Sequence, residues 1–569
     1  MTRRTPFALT APAALLLLVS ACSGAPTSVP PAEVPDPAAG TSAGGPASSA
    51  APPAEPSPEP PALGAWGVSS GHPLASQAGM EMLQEGGTAA DAAVAAAFAD
   101  AVLQPASSGI GGGGASIVVA DGEPVHYDYR EYVSASGVVP EDGVGVPGFV
   151  AGLVQLHELH GALPWEDLLE PAIEVAEKGA PVSAYLASSI NTPLGQQVTA
   201  GLPHFRRDDG TPLQEGDLLV QEELADTMRA IAEDPDTVYT GELGQVLAQV
   251  PGLDQETLSS YQVQVSEPAA GEVGDHTLLS GAPPLPGAAI IQMVQIAHAA
   301  GIGEMDPDSA DFVDLQTQAW QVADTSVQEY FGDPDYVEVP LDRITDYDVN
   351  AEIAAQLPGA QATSAASALE ESYDGAANTT HISVVDADGM AISMTNTITN
   401  YWGSGRYVAG FFLNDQLKRF FDIGVTDANT PQPGRRSVTW SSPSMVLDEQ
   451  DRPVLVIGTP GGRQIPNTTA NVITRWALHG QDLEEAIPAE RFILTDGVLW
   501  LESDRLVAEM IARGYDARAI PTANIPNLGS VQALAVDWEE REVRSHADHR
   551  RSAGYAVASE EDPEPRTGP

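Results

Sequence analysis

Small apolar residues recur at helical spacing from His72 to Gln104, and the Gly86-Gly87 pair divides them into two predicted helices, residues 75–84 and 89–103. A glycine-rich turn then leads into a predicted strand at 115–120, and residues 146 to about 335 read as mostly helical with frequent Pro and Gly. After Asn378 the period shortens, and strands are predicted at 379–385, 391–397, 444–447 and 454–457. The expectation is a helix-rich first part and a strand-rich second part, with no internal repeat. Asp388-Gly389 marks the turn between the first two of those later strands. Closing the hairpin at Asp386/Gly389 sets Thr379 opposite Asn396, and closing it at Ala387/Met390 sets it opposite Ile398. Either ladder points Thr397 to the face away from Thr379.

Composition changes this picture in three ways. The chain has 569 residues, 43% hydrophobic and 18% charged, enough for a large layered core. Aromatics are scarce, so small aliphatic side chains should build that core. A formal net charge of -54 repels nucleic acid and anionic headgroups, which argues against nucleic-acid partners. An anionic substrate would need a local cationic pocket. The chain holds one cysteine, Cys22, so no internal disulfide exists and the mature domain has no catalytic thiol.

Arg3 and Arg4 precede an apolar run from Phe7 to Val19, which ends in Val19-Ser20-Ala21-Cys22. A charged start, a short apolar segment and small residues before the cut describe an export signal rather than a membrane span. The ending resembles a bacterial lipobox, which makes Cys22 the expected lipidated first residue and places the protein at the outer face of the cytoplasmic membrane. Residues 23–63 are nearly all Ala, Pro, Ser, Gly, Thr and Glu, a composition that reads as a disordered tether. Residues 64–378 and 379–569 form the two folded regions.

Several motifs carry no chemistry. Gly109-Ile110-Gly111-Gly112-Gly113-Gly114 fits a dinucleotide fingerprint on paper, but a helix precedes it and a strand follows, the reverse of what that site needs. It reads instead as a tight backbone passage where no Cβ fits. The 11 histidines show no metal-ligand spacing, and the acids at 306–314 lack the order of a calcium loop. They read as a solvated face, and no metal is expected.

The informative segment is Asn378-Thr379-Thr380-His381-Ile382-Ser383-Val384-Val385-Asp386-Ala387-Asp388-Gly389. It resembles the start of the small subunit in the gamma-glutamyltransferase family. Ser70-Gly71-His72-Pro73, Gly86-Gly87-Thr88-Ala89-Ala90-Asp91, Asp128-Tyr129-Arg130-Glu131, Val146-Pro147-Gly148 and Gly458-Thr459-Pro460-Gly461-Gly462 continue the likeness in order, from about 66 to 555. It implies an α/β (α+β) fold, the four-layer αββα sandwich of N-terminal-nucleophile hydrolases, made as a precursor that cuts itself between Asn378 and Thr379. The two fragments stay together as a heterodimer. Thr379 then serves as nucleophile, with its new α-amine, of ordinary pKa about 7.7–8.0, as the base. The resemblance assigns Thr397 to the contact with the nucleophile's hydroxyl and the N–H groups of Gly461 and Gly462 to the oxyanion. Arg130 matches the arginine that holds the donor carboxylate, and Gln416 also fits. No cofactor is implied.

Departures from the pattern fall on substrate recognition. The family's amine-binding aspartate falls on Arg419, its paired serines on Thr439 and Trp440, and the asparagine after the second threonine on Thr399. A cation where an ammonium should dock disfavours a free γ-glutamyl donor by repulsion. The leading expectation is a γ-glutamyltransferase or glutathione hydrolase working on γ-glutamyl or similar amides, with water or an amine as acceptor. A glutaryl or cephalosporin-type acylase and a poly-γ-glutamate-processing enzyme stand as alternatives. A non-catalytic surface lipoprotein is a further one.

Overall fold

The structure is a computed structural model that describes residues 62–358, 378–424 and 426–569. Cys22, the leader before it and the tether up to residue 61 lie outside the described residues. The chain divides at Pro60/Pro61, and the described sheets and helices belong to the second unit.

Two sheets stack face to face. The strands of the larger one are β1 (Ala65–Ser70), β2 (Gly113–Ala120), β3 (Glu123–Asp128), β4 (Gln264–Ser266), β7 (Thr380–Val385), β8 (Ala391–Thr397), β13 (Gly554–Ser559) and β14 (Arg566–Gly568). Their spatial order is β14-β13-β1-β7-β8-β2-β3-β4. The smaller sheet has β5 (Ala269–Val273), β6 (His276–Ser280), β9 (Ser444–Leu447), β10 (Pro453–Gly458), β11 (Gln532–Asp537) and β12 (Glu542–Arg544), in the order β12-β11-β10-β9-β6-β5. Every neighbouring pair in both sheets runs antiparallel.

Helices close both outer faces. On the larger sheet lie α1 (Pro73–Gln84), α2 (Ala89–Leu103) and α3 (Phe149–His160), with α4 (Trp165–Lys178) packed on the outside of α2. All fifteen residues of α2 are buried, and its small side chains pack on Ile382, Val384, Ile392 and Met394. Thr88 caps it in a capping box with Asp91, which satisfies donors that a buried helix start could not leave unpaired. The smaller sheet is covered by α5 (Gly287–Ala299), α6 (Ala310–Tyr330) and α7 (Gln464–His479), which share a cluster with Leu278, Val446, Leu455 and Ile457. This is the expected αββα order.

The predicted helices and strands occur within a few residues of their expected ends, and the first part is helix-rich and the second strand-rich as expected, though neither is exclusively so. β1 to β6 come from before residue 378, and the 16-residue α7 from after it. The short strands 264–266, 269–273 and 276–280 lie among helices, where their few alternations are lost in a helical average. Among the acids at 306–314, Asp306, Asp308 and Asp311 are exposed as expected, and Asp314 is the exception. Asp314 is buried and accepts from the Tyr515 hydroxyl at 2.5 Å, while Asp308 and Asp311 pair with Arg475 and Arg513.

The hairpin register differs from both predicted ones by a single residue. Thr380 faces Asn396 and Val385 faces Ala391, so the ladder extrapolates to Thr379 opposite Thr397. The turn contains three residues, where each predicted closing leaves two. The Asp386 N–H donates to the Met390 carbonyl at 3.0 Å, and Gly389 takes φ 94°. Oδ1 of Asp386 collects the N–H groups of Asp388, Gly389 and Met390, while its Oδ2 accepts from Ala89 N at the start of α2. That fixes the turn to the helix layer. An odd loop puts Thr379 and Thr397 on the same face, with no bulge between them.

Candidate active site

Side chains that point from β7 and β8 into the gap between the sheets change character along the strands. At the turn end Val385 and Ala391 join Ile117, Val119, Met445, Val456 and Leu534 in an apolar cluster. Further along the same face come Ser383 and Ser393, then His381 and Thr395, then Thr379 and Thr397, all buried. His381 bonds Thr395 Oγ1 at 2.8 Å through Nδ1 and Ser383 Oγ at 3.2 Å through Nε2. Burial pushes its pKa down to about 3, so the ring is neutral. Gly458 lies flat against this ring, where an added Cβ would sit 2.3 Å from a ring carbon.

Thr379 stands at the head of β7, directly after Asn378. Its Oγ1 is 2.6 Å from the Asn378 carbonyl oxygen and 3.2 Å from Thr397 Oγ1. Thr397 Oγ1 donates to the same carbonyl oxygen at 2.8 Å and accepts from the Thr399 N–H at 2.8 Å. That second bond fixes the Thr397 hydroxyl so that its own proton faces Asn378. Thr399 holds φ 85°, a strained conformation for a β-branched residue. Two bonds keep it there: its Oγ1 donates to Gln416 Oε1 at 2.7 Å, and its carbonyl accepts from Asn378 N at 3.0 Å. Gly112 passes so close to this strand end that a Cβ would fall 2.2 Å from the Thr397 carbonyl oxygen, which explains the tight glycine passage.

A shallow recess opens over the pair, lined by Thr379, Thr397, Thr399, Gln416, Arg419, Thr439, Trp440, Ser441, Gly462 and Ile465. Gly461 and Gly462, at φ 137° and 60°, lead into α7. Among the described residues their N–H groups find no acceptor. Free donors at the positive end of a 16-residue helix suit a developing oxyanion. Among the residues that line the recess, Arg419 is the sole ionisable side chain, and no carboxylate joins it. Its Nη2 donates to Asn400 Oδ1 at 2.9 Å, and its Nη1 lies 3.5 Å from Asp422. Burial lowers its pKa, but a guanidinium remains charged there. Arg463 lies over the Trp440 ring at 5.9 Å, fixing that wall.

Arg130 is not brought to the recess. It is fully buried, its Nε and Nη2 donate to Asp128 at 3.0 and 2.6 Å, and its Nη1 donates to the Ser437 carbonyl at 2.9 Å. Burial alone would raise the Asp128 pKa, but Arg130 and Arg436 outweigh it and hold the carboxyl below its ordinary value. Ser437 Oγ in turn accepts from Gln416 Nε2 at 2.9 Å. Arg130 therefore supports the recess floor from behind instead of facing a donor. Sequence reasoning did not single out Ser437, Ser441, Ile465, Tyr185 or Arg551. Tyr185 and Arg551 reach Asn378 across 193 and 173 residues, so no local pattern marks them, whereas Ser441 and Ile465 lie within three residues of Trp440 and Gly462.

Among the described residues no group of three or more His, Cys, Asp or Glu could hold a metal, and no helix is long and apolar enough to cross a membrane. A profile of the family described as Gamma-glutamyltranspeptidase matches residues 75–558. The chain is similar to the Capsule biosynthesis protein CapD proenzyme of Bacillus anthracis, at 30% identity over 497 residues, 86% of this chain and 90% of that one. It is similar to the Glutathione hydrolase proenzyme of Pseudomonas aeruginosa, at 32% identity over 514 residues, 82% and 90% of the two. A cephalosporin acylase structure from Bacillus halodurans superposes with a TM-score of 0.78 at 22% identity, over 89% of this chain and 99% of that one, a likeness of fold. With a threonine heading a central strand of the αββα sandwich and a family match over most of its length, the chain belongs to the gamma-glutamyltranspeptidase family and is an enzyme of the N-terminal-nucleophile type.

Proposed function

We propose that the chain cuts itself between Asn378 and Thr379 and then uses Thr379 to transfer or hydrolyse a γ-glutamyl or similar acyl group of glutathione-type amides. The observation that carries this is the meeting of the Thr379 and Thr397 hydroxyls on one carbonyl oxygen, in a recess that Gly462 also lines with its N–H unengaged. In the first step Thr379 Oγ1 adds to the Asn378 carbonyl carbon, and its proton passes to the Thr379 nitrogen. The C–N bond then breaks to leave an ester. Thr397 donates to the oxygen that gains charge. Water hydrolyses the ester, giving Asn378 a carboxylate and Thr379 a free hydroxyl and amine.

In turnover that amine takes the hydroxyl proton, and Oγ1 attacks the donor carbonyl. The oxyanion lies against Gly461 and Gly462, and the departing amine takes the proton. Water or an amino compound then releases the acyl group. Thr399, Gln416, Thr439 and Trp440 shape the acyl site. Intact mass and denaturing electrophoresis of the leaderless protein beside Thr379→Ala tests this. Two fragments from the wild type and one from the variant are expected. An uncut wild type would bring forward the non-catalytic lipoprotein.

Arg419 favours a second reading of the donor. The recess offers a cation and no carboxylate, which suits an acyl chain carrying an extra carboxylate or lacking the α-amine, as in glutaryl amides or poly-γ-glutamate. Paired donor assays separate it from the first.

The leader supports export and lipid attachment at Cys22, with the enzyme outside the cytoplasmic membrane and held there by the lipid alone. Radiolabelled fatty acid should enter the wild type and not Cys22→Ser.

A further inference from the structure

Asn378 is held by more than its place in the chain. Its side-chain oxygen accepts from the Tyr185 hydroxyl at 2.8 Å, from Arg551 Nη1 at 3.1 Å and from the Thr379 N–H at 3.0 Å. Its side-chain nitrogen donates to the Ala106 carbonyl at 3.2 Å. Asn378 is fully buried and Tyr185 nearly so. The Arg551 guanidinium stacks over the Tyr185 ring at 4.7 Å and donates through Nε to the Pro526 carbonyl at 2.8 Å. Tyr185 also meets the Tyr401 hydroxyl at 2.8 Å, which donates to Asn527 at 3.3 Å. Neither Arg551 nor Tyr185 lines the recess over Thr379.

We infer that Arg551 and Tyr185 clamp the Asn378 side chain and so position the bond before Thr379 for self-cleavage, a role spent once per molecule. This rests on the proposed self-cleavage. An attack within one dipeptide unit depends on the torsions around Asn378, because Thr379 Oγ1 must face the carbonyl carbon while the carbonyl oxygen stays on Thr397. Fixing both ends of the Asn378 amide removes the rotations that would turn that carbonyl away. Burial raises the Tyr185 pKa well above its ordinary value, so this hydroxyl stays a donor. Tyr185 and Arg551 are both positioning residues, since neither touches the reacting atoms.

The test follows the conversion of full-length precursor to fragments by intact mass for wild type, Arg551→Ala, Arg551→Lys and Tyr185→Phe. Thermal midpoints and turnover per cleaved site are measured alongside. Tyr185→Phe keeps the ring under Arg551 and removes only the hydroxyl. Conversion is expected to slow roughly tenfold or more in Arg551→Ala and Tyr185→Phe, the loss of one buried hydrogen bond to the amide. Arg551→Lys and added guanidinium should each restore part of the Arg551→Ala loss. The fraction that does cleave should turn over donor within about twofold of wild type, since Asn378 has by then been released from Thr379. Conversion at wild-type rate in both variants overturns the clamp and leaves self-cleavage standing. So does a slowing that follows the thermal midpoint and responds to neither lysine nor guanidinium. A wild type that never cuts overturns the self-cleavage reading and the clamp with it.

Discussion

The layer between the two sheets has two ends built on the same strands, and they do opposite work. Around Val385, Val456 and Leu534 it is an apolar core whose side chains are interchangeable in kind. Around Thr379, Thr395 and Thr397 every position carries a hydroxyl or a ring nitrogen with an assigned partner. The first end holds the sheets together through area removed from water, a force without direction. The second contributes direction, because a buried hydrogen bond is lost when its partner turns. A mutation at one end should therefore appear as lost stability, and at the other as lost chemistry.

The sharpest test of this contrast is Thr379→Ala, which should abolish both fragment formation and donor turnover, while its thermal midpoint stays near that of the uncut wild type. Thr397→Val keeps the shape and removes one donor to the Asn378 carbonyl. It should slow conversion by about 10²–10³, the usual cost of one oxyanion donor, as read by intact mass. At the apolar end Leu534→Ala should lower stability by about 2–4 kcal/mol in denaturant titration, with conversion of the folded precursor unchanged. If that variant slows cleavage in proportion to Thr397→Val, the two ends are not separable.

The next effect is on pH. His381 has a folded pKa of about 3 against an ordinary 6.5, so only the unfolded chain takes up its proton between those values. Its contribution is complete above pH 6.5 and is lost as pH falls toward 3. His72 and His126, both lowered to about 4 mainly by burial, act in the same sense. Asp100 and Glu131, raised to about 8 by burial, and Asp386, raised to about 6, act in the opposite sense, so the His381 part is read as a difference: between pH 7 and 5 the denaturation midpoint of wild type should fall relative to that of His381→Asn. The smallest effect concerns the recess wall. Arg419→Ala should reduce kcat/KM for a glutaryl anilide about tenfold and leave γ-glutamyl anilide unchanged or improved.

The strands that carry the chemistry were legible because they are long and alternate cleanly, and the Asp388-Gly389 turn announced their pairing. The register was not, since a three-residue loop depends on Asp386 gathering three backbone N–H groups and a fourth from α2, a contact across 297 residues. One residue of slip decided whether Thr397 faces Thr379. The resemblance marked the residues now found around the recess, but not that Arg130 turns toward Asp128 or that Tyr185 and Arg551 reach Asn378. Those contacts join distant segments and leave no periodic trace.

If the chain is cut before Thr379 as proposed, the strand order bears on the life of the cut molecule. β7 and β8 of the later fragment lie between β1 and β2 of the earlier one, β1 is enclosed by β7 and β13, and β9 pairs with β6 across the same divide. Each sheet is a mosaic of both fragments. Before the cut, folding is a unimolecular search with its parts tethered. After it, the same search has become an encounter between two chains, without the effective concentration that a covalent link supplies. The mature protein would then persist through the height of its unfolding barrier, and heating it once should erase an arrangement that only the uncut chain knows how to find.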